Sequence, residues 1–224
     1  MQDSFLIPAL DFSSLDEIEK VIGELSSRIN IYKVGMQSFF ATHGKVVELL
    51  KKNQKQVFLD LKLNDIPNTI EFAVTELIKK YEPRYLSLFC GDISAINKAR
   101  NQIEKMNSST KLISITRLTS DEQKSFTTNE VISITKEKIE AGSHGIVCSG
   151  LETQAIRDEF GDEIVIINPG VRLPQDSLDD QKRVVTPSQA LLAGANHIVV
   201  GRPIMQAKNK QQAVDRFIEN WQSS

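Results

Sequence analysis

Short β-branched and apolar runs alternate along the chain with longer segments whose apolar positions recur at helical spacing. The runs fall at Phe5–Asp11, Ile31–Gly35, Val57–Lys62, Tyr85–Cys90, Leu112–Leu118, Gly145–Ser149, Ile164–Gly170 and Ile198–Arg202. Between them, Leu15, Ile18, Val21, Ile22 and Leu25 share one helical face. So do Val46, Val47 and Leu50, and again Ile70, Val74, Leu77 and Ile78. Helix starts are predicted at Ser13-Ser14, Asn68-Thr69 and Thr186-Pro187-Ser188, and helix ends at Gly142 and Gly194. Strands that alternate with helices predict a parallel sheet. Eight such units in 224 residues leave about 28 residues each, which matches a βα repeat with short loops. The predicted fold class is therefore α/β, a (β/α)8 TIM barrel forming a single domain over residues 1–224. The rival, an open doubly wound sheet, would carry Gly-x-Gly-x-x-Gly after its first strand, where Asp11-Phe12-Ser13 stands instead. One long irregular segment, Val171–Val185, separates the last two strands and is the natural lid.

Composition narrows the class of partner. The 40% hydrophobic and 25% charged content is that of an ordinary globular chain, which argues against disorder. With 27 Lys+Arg against 29 Asp+Glu, no global field attracts nucleic acid or an anionic membrane. A bound phosphate must be met by a local site. Cys90 and Cys148 both lie in apolar runs and read as buried free thiols, not a disulfide framework. The start of the chain lacks a basic region before its apolar stretch, and no run approaches the ~18 residues of a membrane span. The expectation is a cytoplasmic protein with no nucleic-acid or membrane partner.

Polar residues at the C-terminal ends of barrel strands face the active site. The third run, Val57-Phe58-Leu59-Asp60-Leu61-Lys62-Leu63-Asn64-Asp65, is the most informative. At period two, Phe58, Asp60 and Lys62 share one face, and Leu59, Leu61 and Leu63 the other. The leucines suit packing against helices, which sends Asp60 and Lys62 into the barrel mouth, with Lys33 on the neighbouring strand and Asp65 just past the strand end. That cluster reads either as a strand-end salt bridge or as a charge network built for chemistry. Asp11 reads as a site residue or as the N-cap of the first helix. Gly201-Arg202 ends the eighth run, where barrels commonly bind phosphate through amides and a guanidinium, although a surface salt bridge would also account for Arg202. Gln181 is a possible ligand donor because of its place in the long loop. His43 falls at a helix start, and His144 and His197 at the wrong ends of their strands. No histidine pair has metal-ligand spacing, so no metal site is expected. No Gly-x-Ser-x-Gly elbow is present.

Lys33-Val34-Gly35, Asp60-Leu61-Lys62-Leu63-Asn64-Asp65-Ile66-Pro67-Asn68-Thr69, Leu118-Thr119-Ser120, Pro169-Gly170-Val171-Arg172, Asp179-Asp180-Gln181-Lys182-Arg183 and Gly201-Arg202-Pro203-Ile204 together resemble the orotidine 5′-phosphate decarboxylase family. The resemblance runs from Asp11 to about Ala207. It implies a homodimeric barrel that needs no cofactor and decarboxylates orotidine 5′-phosphate to UMP in pyrimidine biosynthesis. It implies that Lys62 delivers a proton to C6 of the pyrimidine, with Asp60 and Lys33 as its partners in the charged network. Asp65 would reach the other subunit's site, with Ile66 and Thr69 nearby. Asp11 and Lys33 would contact the ribose hydroxyls, and Thr119 would read the pyrimidine. Arg172, Gln181, Gly201 and Arg202 would hold the phosphate side, with Gln181 bridging toward the base. One departure is visible: Phe89 stands where bacterial members usually carry a histidine, so packing at the end of the fourth strand is expected to differ while the chemistry survives.

Two other readings accompany this one. A magnesium-dependent sugar-phosphate decarboxylase or aldolase of the same superfamily would keep Asp-x-Lys-x-x-Asp. A non-catalytic nucleotide-binding barrel would keep the phosphate side. Asn64-Asp65-Ile66-Pro67-Asn68-Thr69 and the Gln181 loop favour the nucleotide decarboxylase over the first, and the complete charged network favours it over the second.

Overall fold

A computed structural model describes residues 5–116, 127–176 and 184–222. Eight parallel strands follow one another in sequence: β1 Leu6–Pro8, β2 Ile31–Gly35, β3 Gln56–Leu63, β4 Tyr85–Leu88, β5 Lys111–Ile115, β6 Gly145–Val147, β7 Val165–Asn168 and β8 His197–Val200. The sheet order is β1-β8-β7-β6-β5-β4-β3-β2. A parallel bridge between Ala9 and Lys33 joins its two ends, and the Leu10 N–H donates to the Lys33 carbonyl at 2.9 Å. The sheet is therefore a closed (β/α)8 barrel, as the alternation predicts. The helices are α1 Leu15–Leu25, α2 Met36–Ala41, α3 Lys45–Lys52, α4 Pro67–Tyr81, α5 Ile93–Lys105, α6 Thr128–Glu140, α7 Thr153–Phe160, α8 Pro187–Leu192, α9 Arg202–Met205 and α10 Lys210–Gln222.

Two apolar layers follow from the period-two alternation of the strands. Outward residues such as Val34, Leu59, Leu61, Leu86 and Leu112 pack with the helical stripes Ile18–Val21–Leu25, Val46–Leu50 and Ile70–Val74–Ile78. Inward residues Ile7, Ala9, Ile31, Phe58, Tyr85, Ile113, Ile167 and Val199 fill the barrel. At its N-terminal end the Tyr85 hydroxyl and His197 Nε2 lie 2.9 Å apart, and Phe58 meets Tyr85 edge-on at 6.0 Å. His197 thus plugs the end away from the site. Below the mouth the interior is filled by these apolar side chains, and the charged groups of the interior face lie at the C-terminal strand ends.

The strands are mostly shorter than the apolar runs. β1 stops at Pro8 instead of Asp11, with Ala9 and Leu10 still bonded to the neighbouring strands, and β8 stops at Val200 instead of Arg202. Ser14 holds the N-cap position of α1, as Ser13-Ser14 predicts, though with no side-chain bond, and Asp11 is not that cap. Two other start signals resolve differently from expectation. Helix α4 starts at Pro67 with Ile66 as N-cap, placing Asn68 and Thr69 inside its first turn. Proline at the first position removes one otherwise unpaired N–H and presets a helical φ. His43 sits between α2 and α3 at φ 52°, in a left-handed turn and not a helix start. Thr186 does cap α8, in a reciprocal capping box with Gln189. Gly142 and Gly194 end α6 and α8 at φ 108° and 93°; each donates with the next residue to the last turn of its helix, a Schellman arrangement.

Candidate active site

The C-terminal ends of β1, β2, β3, β4 and β8 converge on one cluster. Asp60 lies at its base, with its side chain 9% exposed. The Lys62 Nζ stands 2.6 Å from Asp60 Oδ2, and Lys33 Nζ 3.6 Å from the same oxygen. Lys33 also reaches Asp11 Oδ1 at 3.5 Å. Charge thus alternates Asp11–Lys33–Asp60–Lys62 from the rim inward and back, and these four side chains sum to zero. Asp11 is half exposed at the rim, and Lys62 keeps about a third of its side chain accessible. Burial by itself would raise the Asp60 carboxyl's pKa. The Lys33 and Lys62 ammoniums, and hydrogen bonds from Lys62 and Ser87, outweigh burial and hold it below the usual carboxylate value. Asp60 is therefore an anion facing the mouth.

Glycines let the strand ends approach. A Cβ on Gly35 would lie 3.1 Å from Lys33 Nζ and 3.3 Å from Asp11 Oδ1, inside ordinary contact distance. A Cβ on Gly201 would stand 3.9 Å from Asp11 Oδ2, which puts the end of β8 beside the cluster. Half-buried Arg202 follows as the first residue of α9. Arg172 is buried, donates its N–H to the Val185 carbonyl at 3.0 Å and sends one guanidinium N–H to the Val171 carbonyl at 3.0 Å. Both ends of the long β7–α8 segment are thereby tied down.

Period-two alternation breaks at the third strand. β3 pairs with β4 as Phe58↔Tyr85 and Leu59↔Leu86, then as Leu63↔Leu88. Asp60, Leu61 and Lys62 oppose Ser87 alone. Lys62 takes φ 52°, a conformation that costs a non-glycine residue on the order of 1–3 kcal/mol. Bulges of this kind re-aim side chains beside active sites. Here it sets Lys62 across Asp60. The freed Lys62 N–H donates to Ser87 Oγ at 2.9 Å, and the Ser87 hydroxyl donates to Asp60 Oδ1 at 2.9 Å.

A family model described as "Orotidine 5′-phosphate decarboxylase / HUMPS family" matches residues 4–217. The chain belongs to this family. A Listeria monocytogenes serotype 4b protein named orotidine 5′-phosphate decarboxylase is 35% identical, over 96% of this chain and 97% of that one. One of the same name from Malacoplasma penetrans is 36% identical over 98% and 97%. The crystal structure of orotidine 5′-phosphate decarboxylase from Lactobacillus acidophilus superposes with a TM-score of 0.82 at 28% identity, covering 98% of this chain and 99% of that one.

Set beside the family resemblance, Asp11, Lys33, Asp60, Lys62 and Gly201 come together, with Arg202 next in the chain. Asp65, Ile66 and Thr69 do not join them. They lie exposed at the start of α4, where Asp65 Oδ1 accepts the Ile66 N–H at 2.7 Å. Thr119 and Gln181 lie outside the described residues, as do 177–183 of the expected lid. Asp11 as helix cap is overturned by its pairing with Lys33. Phe89 is half-buried just past β4, and its N–H continues the ladder to the Leu63 carbonyl at 2.9 Å. Ser87 was not anticipated. Its signal was a hydroxyl between Leu86 and Leu88 in an otherwise apolar strand. Cys90 and Cys148 are buried free thiols, as their runs imply.

Proposed function

We propose that the chain is a carboxy-lyase that converts orotidine 5′-phosphate to UMP in pyrimidine biosynthesis, with Lys62, Asp60, Lys33 and Asp65 as its catalytic residues. The observation that carries this reading is the Lys62 ammonium 2.6 Å from a buried, ionised Asp60 at the mouth of a barrel of this family. In the reaction the C6–carboxylate bond breaks, CO₂ departs, and the electron pair stays on C6. That sp² carbanion has little resonance relief, so the barrier falls mainly through electrostatics. The Lys62 cation stabilises the developing charge and passes a proton to C6; solvent then returns the proton to Lys62. Asp60 faces the departing carboxylate. Two like charges at ~4 Å repel by ~4 kcal/mol at an effective dielectric of 20, and the repulsion vanishes as neutral CO₂ leaves.

In the same reading Asp11 and Lys33 bind the ribose hydroxyls, and Thr119 reads the pyrimidine. Arg172, Gln181, Gly201 and Arg202 hold the phosphate. The phosphate end lies remote from C6, so its binding energy can be spent on the transition state. The expected assembly is a cytoplasmic homodimer with shared active sites. What supports it is the exposed start of α4, where Asp65 and Ile66 lead into Thr69 and Phe72 on the helix, with Ile66 66% and Phe72 71% exposed. A second subunit seated there would bury both apolar side chains and bring Asp65 to its partner's mouth.

The reaction uses no cofactor in this reading, and the magnesium-dependent alternative makes the opposite prediction. Incubated with orotidine 5′-phosphate, the protein is expected to remove the orotate absorbance and form UMP at the same rate with and without EDTA. Loss of that turnover in EDTA would contradict the cofactor-free mechanism, absence of turnover without UMP binding would favour the metal-dependent sugar-phosphate reading, and UMP binding without turnover would establish a non-catalytic barrel.

A further inference from the structure

We infer that Ser87 is a positioning residue for the reaction, its one hydroxyl holding both the Lys62 backbone and the Asp60 carboxylate. The inference rests on the reading of Lys62 as proton donor. Ser87 is fully buried, on the interior face of β4, and is the one β4 residue facing the three-residue bulge of β3. The bulge takes the Lys62 N–H out of the ladder, and a buried N–H without a partner is costly. Ser87 Oγ accepts it at 2.9 Å. The same hydroxyl's proton goes to Asp60 Oδ1, also at 2.9 Å. Oδ1 is thereby assigned to the hydroxyl and Oδ2 to the two ammoniums. A hydroxyl has one donor and two acceptor sites, so it can serve both groups at once; a methyl can serve neither. Without it, the Asp60 carboxylate can rotate about its terminal bond and Lys62 is free to leave φ 52°. Either motion moves the proton donor relative to C6.

Misplacement by about 1 Å costs roughly 100-fold in rate, so Ser87→Ala is expected to lower kcat by about that factor with KM changed less than about threefold. The groups that face Asp60 are Lys33 from β2, Lys62 from β3 and Ser87 from β4, with Asp11 beyond Lys33. Removing the Ser87 bond leaves only the two ammoniums to offset burial, so the acid limb of kcat should move to higher pH. Loss of folded protein alone would lower apparent kcat at unchanged KM but would not shift the acid limb, so the acid limb, read with the folded fraction from a thermal melt, decides. Ser87→Thr, which restores the hydroxyl, should recover at least tenfold of the loss. Ser87→Cys, close in size and weaker in hydrogen bonding, should fall between wild type and Ala, and it serves as the test if the Ala variant does not fold. A wild-type kcat and unchanged acid limb in folded Ser87→Ala or Ser87→Cys would overturn the inference. The proposed function itself stands or falls on wild-type turnover, which this comparison leaves untouched.

Discussion

Lys62→Ala is expected to remove decarboxylation while leaving the barrel folded. The lysine is asked to do two things: stabilise the carbanion and protonate it. General acid catalysis contributes about 10²–10⁴-fold and a single electrostatic stabiliser about 10²–10³-fold, so the combined loss in kcat should be at least about 10⁴-fold. Stability should suffer far less. Alanine keeps a Cβ, so the strain at φ 52° is neither added nor relieved. Asp60 keeps Lys33 at 3.6 Å and the Ser87 hydroxyl at 2.9 Å, so it is not left as an unpaired buried charge. The residues assigned to phosphate lie just past β8 and in the β7–α8 segment, so KM should move little. The check is a steady-state assay beside a thermal melt. Activity above a few per cent of wild type in a folded variant would remove Lys62 as the proton donor.

The second large effect is a recovery. Asp65→Ala alone should inactivate the protein, because the proposed homodimer puts this carboxylate in the partner's site. Mixed with Lys62→Ala, two nearly dead proteins should yield a live one. In a mixed dimer one site has lost both groups, and the other has both intact, with Lys62 from one subunit and Asp65 from its partner. Random exchange makes about half the dimers mixed, each with one intact site in two, so activity should return to about a quarter of wild type. The measurement is turnover after unfolding and refolding the variants together, with mixed dimers verified by a tag on one subunit. No recovery with mixed dimers present would place Asp65 in its own chain's site or outside catalysis. Its exposure at the start of α4 and its lack of any ion pair to the Asp11–Lys33–Asp60–Lys62 cluster among the described residues favour the shared arrangement.

Much of this was legible along the chain. Strand–helix alternation predicted the barrel, and the leucines at 59, 61 and 63 told which face of the third strand points outward. From that, Asp60 and Lys62 fell at the mouth. Lys33 followed from its strand. Other features depend on backbone conformation, which period-two reasoning cannot reach. The bulge opposite Ser87 comes from pairing register, and nothing in Asp60-Leu61-Lys62 announces a left-handed lysine. Ser87 matters because of that register, so its importance was hidden with it. Asp11 could not be divided between capping and binding until Ser14 was seen at the N-cap and Lys33 across the barrel seam. The caps misplaced at α4 failed for a local reason: Pro67 starts the helix by fixing its own φ, so the polar residues after it were free for other uses.

The central claim is that a lysine cation held by Asp60 supplies the proton that replaces CO₂ at C6. Turnover of orotidine 5′-phosphate in D₂O tests it most directly, because the exchangeable protons of Lys62 become deuterons. The account predicts UMP carrying deuterium at C6 in step with CO₂ release, and no such product from Lys62→Ala. An unconsumed orotate ring, or deuterated UMP formed equally well without Lys62, would contradict it.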